Sequence, residues 1–386
     1  MISIGEVNKR SAKNNIVLKL PERLTNPSNR ERLKKELLRC LYYRSWGYIS
    51  EPQIPMYTGV FSLAFSRKGN PLLIGFDQGE IRGFDVTSNK QIWDNVDMHN
   101  CGVNCLEFIN DYQFVSGSDD TVVKLWDLRK LDYSIQNLYD MDEWVQDVSF
   151  SFGQKLLITN GIGSGFFVYQ LVDGRFELVA VCKNDKPIYR AKLIDSNDGM
   201  MVYSNWGDSK AYIVHNFYRL IRERSNHTPP SELHLKEEIS CKLEGLADCI
   251  ISSIAVHPFE RRFAMRGTTA GRKKRHMKSY TFIFDANRVS ESCEPTCTHQ
   301  ESSKTRNFTK EMSFSFDGYA LSSPNRSSVR LLGLINNPMS KNRLQVLNEV
   351  KGSNSADSAI VTRFSPVEPL LAVGWLSGSI KLFKPS

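Results

Sequence analysis

The sequence lacks the motifs that mark the familiar classes of enzyme. It contains no glycine-rich phosphate loop, no G-x-S-x-G nucleophile turn and no H-E-x-x-H zinc motif. No apolar run is long enough to cross a bilayer, and no apolar stretch follows the charges of residues 1–10 as it would in a secretory signal. We therefore expect a protein that is not an enzyme and has no cofactor and no membrane partner.

The cysteines lack the spacing of a disulfide framework. Eight of them are scattered over 386 residues, which favours reduced thiols in the nucleus and cytoplasm. Cys293, Cys297 and His299 form a C-x3-C-x-H cluster, but zinc normally takes four ligands and the sequence offers no fourth neighbour. We therefore assign no metal to this cluster.

One basic block accounts for part of the net charge of +8. It lies between two predicted strands and contains Arg272, Lys273, Lys274 and Arg275. Such a block is compatible with a solvated hairpin loop, a nuclear-import signal or a contact to phosphate. The overall basicity favours acidic or phosphorylated partners, without choosing between proteins and nucleic acids.

What the chain has in abundance is a repeated spacing of apolar residues. Val60, Leu63 and Phe65 occupy positions p, p+3 and p+5 of a pattern that returns about every 42 residues. Further copies begin at Val103, Val145 and Ile188, a later one begins at Ile251, and two looser ones include Met312 and Phe364. Each copy has apolar runs separated by polar turns, as strands do. The period is typical of propeller blades, and we predict an all-β, seven-bladed propeller.

The second copy ends in Trp126, Asp127 and, two residues further on, Arg129, and it resembles a WD repeat. In WD repeats a histidine, a serine, a turn aspartate and this tryptophan form a buried hydrogen-bonded group. The corresponding residues here are His99, Ser116 or Ser118, Asp120 and Trp126. A buried indole N–H and a turn carboxylate each need a partner, so we interpret this group as structural and not catalytic.

A different kind of segment precedes the repeats. Residues 29–44 carry an apolar stripe typical of an amphipathic helix, with Ser28 as a capping residue and Gly47 after its end. The stripe includes Leu33, Leu37, Leu38 and Leu41. We predict an N-terminal arm and helix over residues 1–50 and a propeller over 51–386, with insertions at about 222–248 and 290–306. The last copy ends close to residue 386, so we expect residues 52–58 to supply its outer strand.

The W-D-x-R ending and the N-terminal helix followed by LYYRSWG together resemble the DDB–cullin-4-associated factor family of WD-repeat substrate receptors. That resemblance implies a subunit of a cullin-4 RING ubiquitin ligase that docks on the DDB adaptor and presents target proteins, whose identity the sequence leaves open. The implied adaptor contacts are Leu33, Leu37, Leu38, Leu41, Trp126, Asp127 and Arg129.

Three alternatives stand beside this interpretation. The helix could instead pack on a propeller face, and Arg129 could pair only with Asp127 or with solvent. The W-D-x-R ending occurs once, because Thr87 and Val172 occupy the matching places in the neighbouring copies. The alternative function is a WD-repeat scaffold in a ribonucleoprotein or chromatin complex, in which basic loops contact nucleic acid.

Overall fold

The structure is a computed structural model that describes most of the chain. The described residues are 27–50, 59–95, 98–163, 165–195, 199–207, 209–224, 230–239, 241–246, 248–269, 278–288, 294–302, 311–335, 343–352 and 354–386. They form a seven-bladed β-propeller, as the repeat predicts.

Each blade is an antiparallel sheet whose strands follow one another from the centre of the ring outwards. Blade 1 consists of β2 (Val60–Phe65), β3 (Leu72–Phe76), β4 (Ile81–Asp85) and β5 (Lys90–Asn95). Blade 2 consists of β6 (Val103–Phe108), β7 (Gln113–Ser118), β8 (Val123–Asp127) and β9 (Gln136–Leu138). Blade 3 consists of β10 (Val145–Ser151), β11 (Leu156–Gly161), β12 (Gly165–Val172) and β13 (Arg175–Lys183), and blade 4 begins with β14 (Ile188–Ile194), β15 (Met200–Asn205) and β16 (Ala211–His215).

The remaining blades follow the same order. The outer strand of blade 4 is β18 (Cys241–Lys242). Blade 5 consists of β19 (Cys249–Val256), β20 (Arg262–Thr269), β21 (Lys278–Asp285) and β22 (Cys297–Ser302). Blade 6 consists of β23 (Ser313–Phe314), β24 (Ala320–Asn325), β25 (Ser328–Ile335) and β26 (Arg343–Lys351), and blade 7 contains β27 (Ala359–Phe364), β28 (Leu371–Trp375) and β29 (Ile380–Pro385).

The N-terminal segment closes the ring. Strand β1 (Trp46–Ser50) pairs antiparallel with β29 as the outer strand of blade 7, with Trp46 opposite Pro385. The sequence prediction that residues 52–58 supply this strand is therefore wrong, and those residues lie outside the described part of the chain. The reason is tertiary, because the buried Trp46 stacks on Tyr42 and meets the ring of Phe364 edge to face.

Apolar residues of neighbouring blades pack against each other all the way round. Among the described residues there are seven buried apolar clusters, and each is shared by two adjacent blades. One example joins Val60 of blade 1 to Val361 of blade 7. Because no single blade has its own enclosed core, each blade is stable only between its neighbours.

Two regions that the sequence marks as insertions contain regular structure. Helix α2 (Phe217–Arg224) follows blade 4's third strand, and β17 (Ser231–His234) pairs in parallel with β13 as a fifth strand of blade 3. A single turn, α3 (Leu235–Glu238), leads from there to β18. Within residues 290–306, β22 forms the outer strand of blade 5.

The antiparallel order gives the ring two distinct faces. Turns between the first and second strands, and between the third and fourth, lie on one face, which we call the lower face. Turns between the second and third strands, and the loops that join consecutive blades, lie on the other, which we call the upper face. In blade 2 the lower face carries residues 109–112 and 128–135, and the upper face carries residues 119–122.

Candidate functional site

The structure brings the four WD-repeat residues of blade 2 together in a chain of hydrogen bonds. The Trp126 indole N–H donates to Ser116 Oγ over 2.8 Å, and Ser116 Oγ lies 2.7 Å from His99 Nε2. His99 Nδ1 lies 2.8 Å from Asp120 Oδ2. Ser118, the alternative serine, donates to the carbonyl of Cys101 instead. The group therefore ties the upper-face turn of blade 2 to its third strand.

The ionisation of this group agrees with a structural role. Burial lowers the pKa of His99, so its imidazole is neutral at neutral pH and Nδ1–H donates to the carboxylate. Burial alone would raise the pKa of Asp120, but the hydrogen bond from His99 and the amides of Asn100 and Val122 outweigh it and lower that pKa to about 2. Each polar side-chain atom of His99, Ser116, Asp120 and Trp126 has a hydrogen-bond partner, which agrees with a structural role for the group.

Arg129 lies on the lower face of blade 2 and forms an ion pair with Asp127. Its Nε and Nη2 donate to the two oxygens of that carboxylate at 2.8 and 2.6 Å, and its guanidinium covers the ring of Tyr112. The side chain is still 64% exposed. The pairing with Asp127 that the sequence allowed therefore occurs.

Helix α1 (Pro27–Tyr42) lies against the lower-face turns of blades 5 and 6. It begins two residues earlier and ends two residues earlier than the sequence pattern indicates. The Tyr42 hydroxyl donates to Asp317 Oδ1 over 2.9 Å, and the Arg39 guanidinium covers the ring of Tyr319. A cleft of about 450 Å³ separates the earlier part of the helix from Phe259. The propeller-packing alternative therefore holds for the last turn of the helix.

The turn beneath the helix is built around a glycine. Gly318 has φ of +72°, and a Cβ atom there would lie 2.2 Å from His257 Nε2. The ring of His257 accepts the amides of Phe259 and Glu260 at Nδ1 and lies 3.1 Å from the Gly318 carbonyl at Nε2. Only glycine can adopt this backbone conformation and leave room for the imidazole of His257. The turn that lies against α1 therefore depends on Gly318.

The leucine stripe of the helix is divided between two environments. Leu38 and Leu41 are half-buried, whereas Leu37 is 64% exposed. The side chain of Leu33 lies outside the described part of the structure. One apolar residue of the predicted adaptor-binding set is therefore directed to solvent from a helix that the propeller holds in place.

The lower face exposes further large apolar side chains. Phe259 is 76% exposed at the edge of the cleft beside α1. Tyr112, Tyr133 and Val367 are also exposed on lower-face turns. Single exposed apolar residues are ordinary on a protein surface, and these four belong to the turns of blades 2, 5 and 7.

The centre of the ring holds charged residues that our sequence prediction missed. They are Asp147, Arg190 and Glu311 at repeat position p+2, and Glu107, Lys192 and Arg363 at p+4. Lys192 Nζ lies 2.6 Å from Asp147 Oδ1, and Glu311 accepts from both Arg190 and Arg363 at 3.2 Å. Burial raises the pKa of Glu107.

The signal for these residues was in the repeat itself. Positions p+2 and p+4 alternate with the apolar positions p+3 and p+5, so they point to the other side of the innermost strands. Three acidic and three basic residues neutralise each other, which is typical of a structural network that joins non-adjacent blades. We assign no ligand to it.

Several other features that the sequence singles out lie outside the described residues or form no site within them. The basic block at Arg272, Lys273, Lys274 and Arg275 lies outside the described residues, as does Cys293. Cys297 and His299 are in strand β22, and the described residues contain no group of His, Cys, Asp and Glu suited to a metal. No described helix is long and apolar enough to cross a membrane.

The cysteine prediction needs one correction. Cys40, Cys101, Cys105, Cys182, Cys249 and Cys297 are free thiols. Cys241 is disulfide-bonded, so the expectation of reduced thiols throughout the chain is wrong at this position. Spacing along the sequence does not reveal which distant cysteines a fold brings together.

Comparison with known proteins agrees with this geometry. The family model for the WD domain, G-beta repeat, matches residues 92–127, which include the hydrogen-bonded group of blade 2. The chain therefore contains a WD repeat. It is 26% identical to DDB1- and CUL4-associated factor 10 of Xenopus tropicalis, over 84% of each chain. It is also 26% identical to the proteins of that name from Danio rerio and Mus musculus, over 84% of this chain and 74% and 68% of those proteins.

These matches confirm the resemblance that the sequence motifs indicate. The matched relatives all carry the name DDB1- and CUL4-associated factor 10. The similarity extends well beyond the single WD repeat that the family model matches, because 84% of this chain is aligned. The alignments therefore cover most of this chain and most of each matched factor.

Proposed function

We propose that this WD-repeat protein is the substrate-recognition subunit of a cullin-4 RING ubiquitin ligase. In this proposal it docks on the DDB adaptor through α1 and the W-D-x-R ending of blade 2 and presents target proteins for ubiquitination. The observation that carries the proposal is the placement of α1 and Arg129 on the same face of the ring. One rigid partner could then contact both.

The names of the relatives indicate which protein that partner would be. The matched proteins are named for association with DDB1 and CUL4. The structure supplies a surface suited to a protein partner, because Leu37 and Phe259 are exposed beside the ordered last turn of α1. Apolar and aromatic side chains with an arginine at the edge are the composition of binding hot spots.

The fixed conformation of helix α1 should increase its affinity for the adaptor. Tyr42 is fully buried between Trp46, Tyr319 and Phe364, so the end of α1 is already fixed before any partner binds. A preordered element loses less conformational entropy on binding than a disordered one. We therefore expect the helix to contribute more to adaptor affinity than the paired Arg129. The transfer of ubiquitin itself would be carried out by other subunits, and we propose that the protein acts in the nucleus and cytoplasm.

The first experiment measures binding of the purified chain to the DDB1 adaptor by biolayer interferometry. Leu37→Asp should weaken binding by at least about tenfold, because it places a charge in an apolar contact. Ile92→Asp is the matched control, since Ile92 is an exposed apolar residue on the outer strand of blade 1. It should leave adaptor binding unchanged, and circular dichroism should show both variants folded.

The second arm tests the W-D-x-R ending. Arg129→Ala should weaken adaptor binding by less than Leu37→Asp does, with a faster dissociation rate. If Arg129 only pairs with Asp127, the affinity will be unchanged. Absence of adaptor binding by the wild-type chain would refute the proposal and leave the scaffold alternative, for which affinity for RNA or DNA that falls steeply with salt is the test.

A further inference from the structure

The upper face carries two exposed tryptophans on neighbouring loops. Trp144 is 53% exposed on the loop between β9 and β10, and Trp206 is partly exposed on the turn between β15 and β16. The turn of residues 161–163 joins them, because Gly161 lies against the Trp144 carbonyl and the Gly163 carbonyl accepts the amide of Ile188. The Trp206 amide in turn donates to the Pro187 carbonyl over 2.8 Å.

The loop between β9 and β10, which carries Trp144, is acidic. It reads Tyr-Asp-Met-Asp-Glu-Trp over residues 139–144, and Asp142 and Glu143 are exposed beside Trp144. Tyr139, at the start of the loop, is exposed as well. Neither Asp142 nor Glu143 forms an ion pair with any residue that the structure describes. Their charges are therefore available to a partner.

The acidic surface continues from this loop towards blade 1. Gln146, two residues after Trp144, reaches Asp119 Oδ1 over 3.5 Å. Asp119 and Asp77 flank Gly102, where a Cβ atom would lie 3.4 Å from Asp119 Oδ2 and 3.3 Å from the Asp77 Cα. The upper-face strip, defined by Asp77, Asp119, Asp142, Glu143, Trp144 and Trp206, thus crosses four blades.

Two carboxylates of the strip lack counter-charges. Burial, followed by the charge of Asp120, raises the pKa of Asp119, although Asn104 donates a hydrogen bond to it. Asp77 Oδ1 is shielded from solvent and has no hydrogen-bond partner among the described residues. Asp119, which is partly exposed, would gain free energy from a cationic donor.

We propose that the upper-face strip binds a segment of a target protein in which lysine or arginine alternates with apolar residues. A guanidinium can stack on Trp144 while it donates to Asp142 or Glu143, and apolar side chains can cover the rest of the indole. The acidic charge stands out in a chain with a net charge of +8 and disfavours nucleic acid at the strip itself. The proposal rests on the proposed function only in taking the partner to be a ligase target.

The geometry also separates this site from the adaptor. The strip lies on the upper face, whereas α1 and Arg129 lie on the lower face. A target bound here would leave the lower face free for the adaptor. Binding of the two partners should therefore be independent.

The test is fluorescence anisotropy with the full chain and a short fluorescein-labelled peptide that alternates arginine with leucine. We expect saturable binding that weakens as the ionic strength rises from about 0.05 to 0.3 M. Two matched probes replace every arginine with glutamate or every leucine with serine, and both should bind at least about tenfold more weakly. Equal binding of the glutamate probe would overturn the proposal.

Variants then locate the site. Trp144→Ala, and Asp142→Asn combined with Glu143→Gln, should each reduce the affinity about tenfold. The controls are Glu177→Gln on the outer strand of blade 3 and Tyr133→Ala on the lower face, which should bind the peptide like the wild type. Unchanged binding in the strip variants, or equal losses in the controls, would refute the assignment.

Adaptor binding, measured on the same samples, separates the two proposals. The strip variants should bind DDB1 like the wild type. If DDB1 binds but the arginine peptide does not, the site assignment fails and the receptor function stands. If the peptide binds at the strip but DDB1 does not, the chain is a binding scaffold and the receptor function fails.

Discussion

Blades 2 and 5 contact the next blade through very different residues at the same place in the repeat. Gly117 of blade 2 lies opposite Cys105 at p+2, and Arg266 of blade 5 lies opposite Ser253 at p+2. A Cβ atom on Gly117 would lie 2.4 Å from a methyl group of Val145 in blade 3. Arg266 instead reaches out to Glu301 and to Ser323 of blade 6. One joint between blades is a close apolar contact. The other is polar, because Arg266 and Glu301 pair within blade 5 and both reach residues of blade 6.

The difference teaches that the ring constrains the distance between blades and not the chemistry of the joint. A small residue such as Gly117 lets the next blade approach closely. A long charged residue such as Arg266 needs a buried counter-charge, which Glu301 provides. The apolar joint depends on shape and fails by overpacking. The ionic joint depends on both charges and fails when one of them is removed. The blades should therefore respond differently to substitution.

Breaking the ionic joint should have the largest effect. Glu301 accepts hydrogen bonds from Arg266, Asn325 and Arg330 at 3.0, 3.1 and 2.6 Å. Glu301→Gln leaves the buried guanidinium of Arg266 without a counter-charge, so we expect a loss of about 3–5 kcal/mol in the free energy of unfolding. The midpoint of urea unfolding measures it.

The exposed pair of Lys183 and Glu232 provides the matched control. Glu232→Gln is the same chemical change on the outer strands of blade 3, and it should shift the unfolding midpoint very little. Replacing Arg266 with Met as well as Glu301 with Gln should recover part of the lost stability, because no buried charge is then unpaired. Equal effects of the two glutamine variants would contradict the ionic interpretation of blade 5.

Overpacking the apolar joint should have the next largest effect. Gly117→Val pushes a branched side chain into Val145 of the neighbouring blade, so we expect a loss of about 1–3 kcal/mol in unfolding free energy. The same measurement of urea midpoints applies. Gly153→Val is a useful comparison, because a Cβ atom on Gly153 meets nothing within 4 Å. A loss at Gly153 as large as that at Gly117 would rule out contact between blades as the cause.

A smaller effect is expected from the hydrogen-bonded group of blade 2. Trp126→Phe keeps an aromatic ring next to Phe114 but removes the N–H that donates to Ser116. We expect a loss of about 1 kcal/mol in unfolding free energy, the usual value of one hydrogen bond. The exposed Trp144→Phe should be neutral by the same measurement. A neutral Trp126→Phe would show that shape alone sustains blade 2.

The smallest effect is a dependence of stability on pH, to which His99 of blade 2 contributes. Burial lowers the pKa of His99 below its ordinary value of 6.5, so folding favours the neutral ring. The resulting stability is present above the unfolded pKa and is lost as pH falls below it towards the folded pKa. The melting temperature should therefore decrease between about pH 7.5 and pH 5.5.

A histidine variant tests this assignment. His99→Gln should be less stable than the wild type at pH 7.5, but its melting temperature should change less with pH. Burial also lowers the pKa of His215, His257 and His299, so some dependence on pH will remain. A variant with the full wild-type dependence would exclude His99 as a contributor.

Much of the fold could be predicted from the sequence because the repeat is local. The spacing of Val60, Leu63 and Phe65 and its later copies predicts the innermost strands, and the structure places strands there. The helix could be predicted for the same reason, since four-residue spacing of leucines marks one side of a helix. The hydrogen-bonded group of blade 2 could be found only because its residues resemble a known repeat.

Other features could not be predicted, because they join residues far apart in the chain. Strand β1 pairs with β29 across most of the sequence, and nothing in residues 46–50 alone indicates that partner. Arg190 meets Glu311 in the centre of the ring, and Arg266 meets Ser323 between blades. The faces on which α1 and Arg129 lie also depend on the closed ring.

The sequence by itself determined the blades, their number and the helix, because hydrophobic periodicity is set within each segment of chain. Only the tertiary structure decided how the ring closes, which leucine of α1 remains exposed, and that an acidic strip with Trp144 faces away from the helix. These properties depend on contacts between blades. Burial and the pairing of charges are defined only once those contacts have formed.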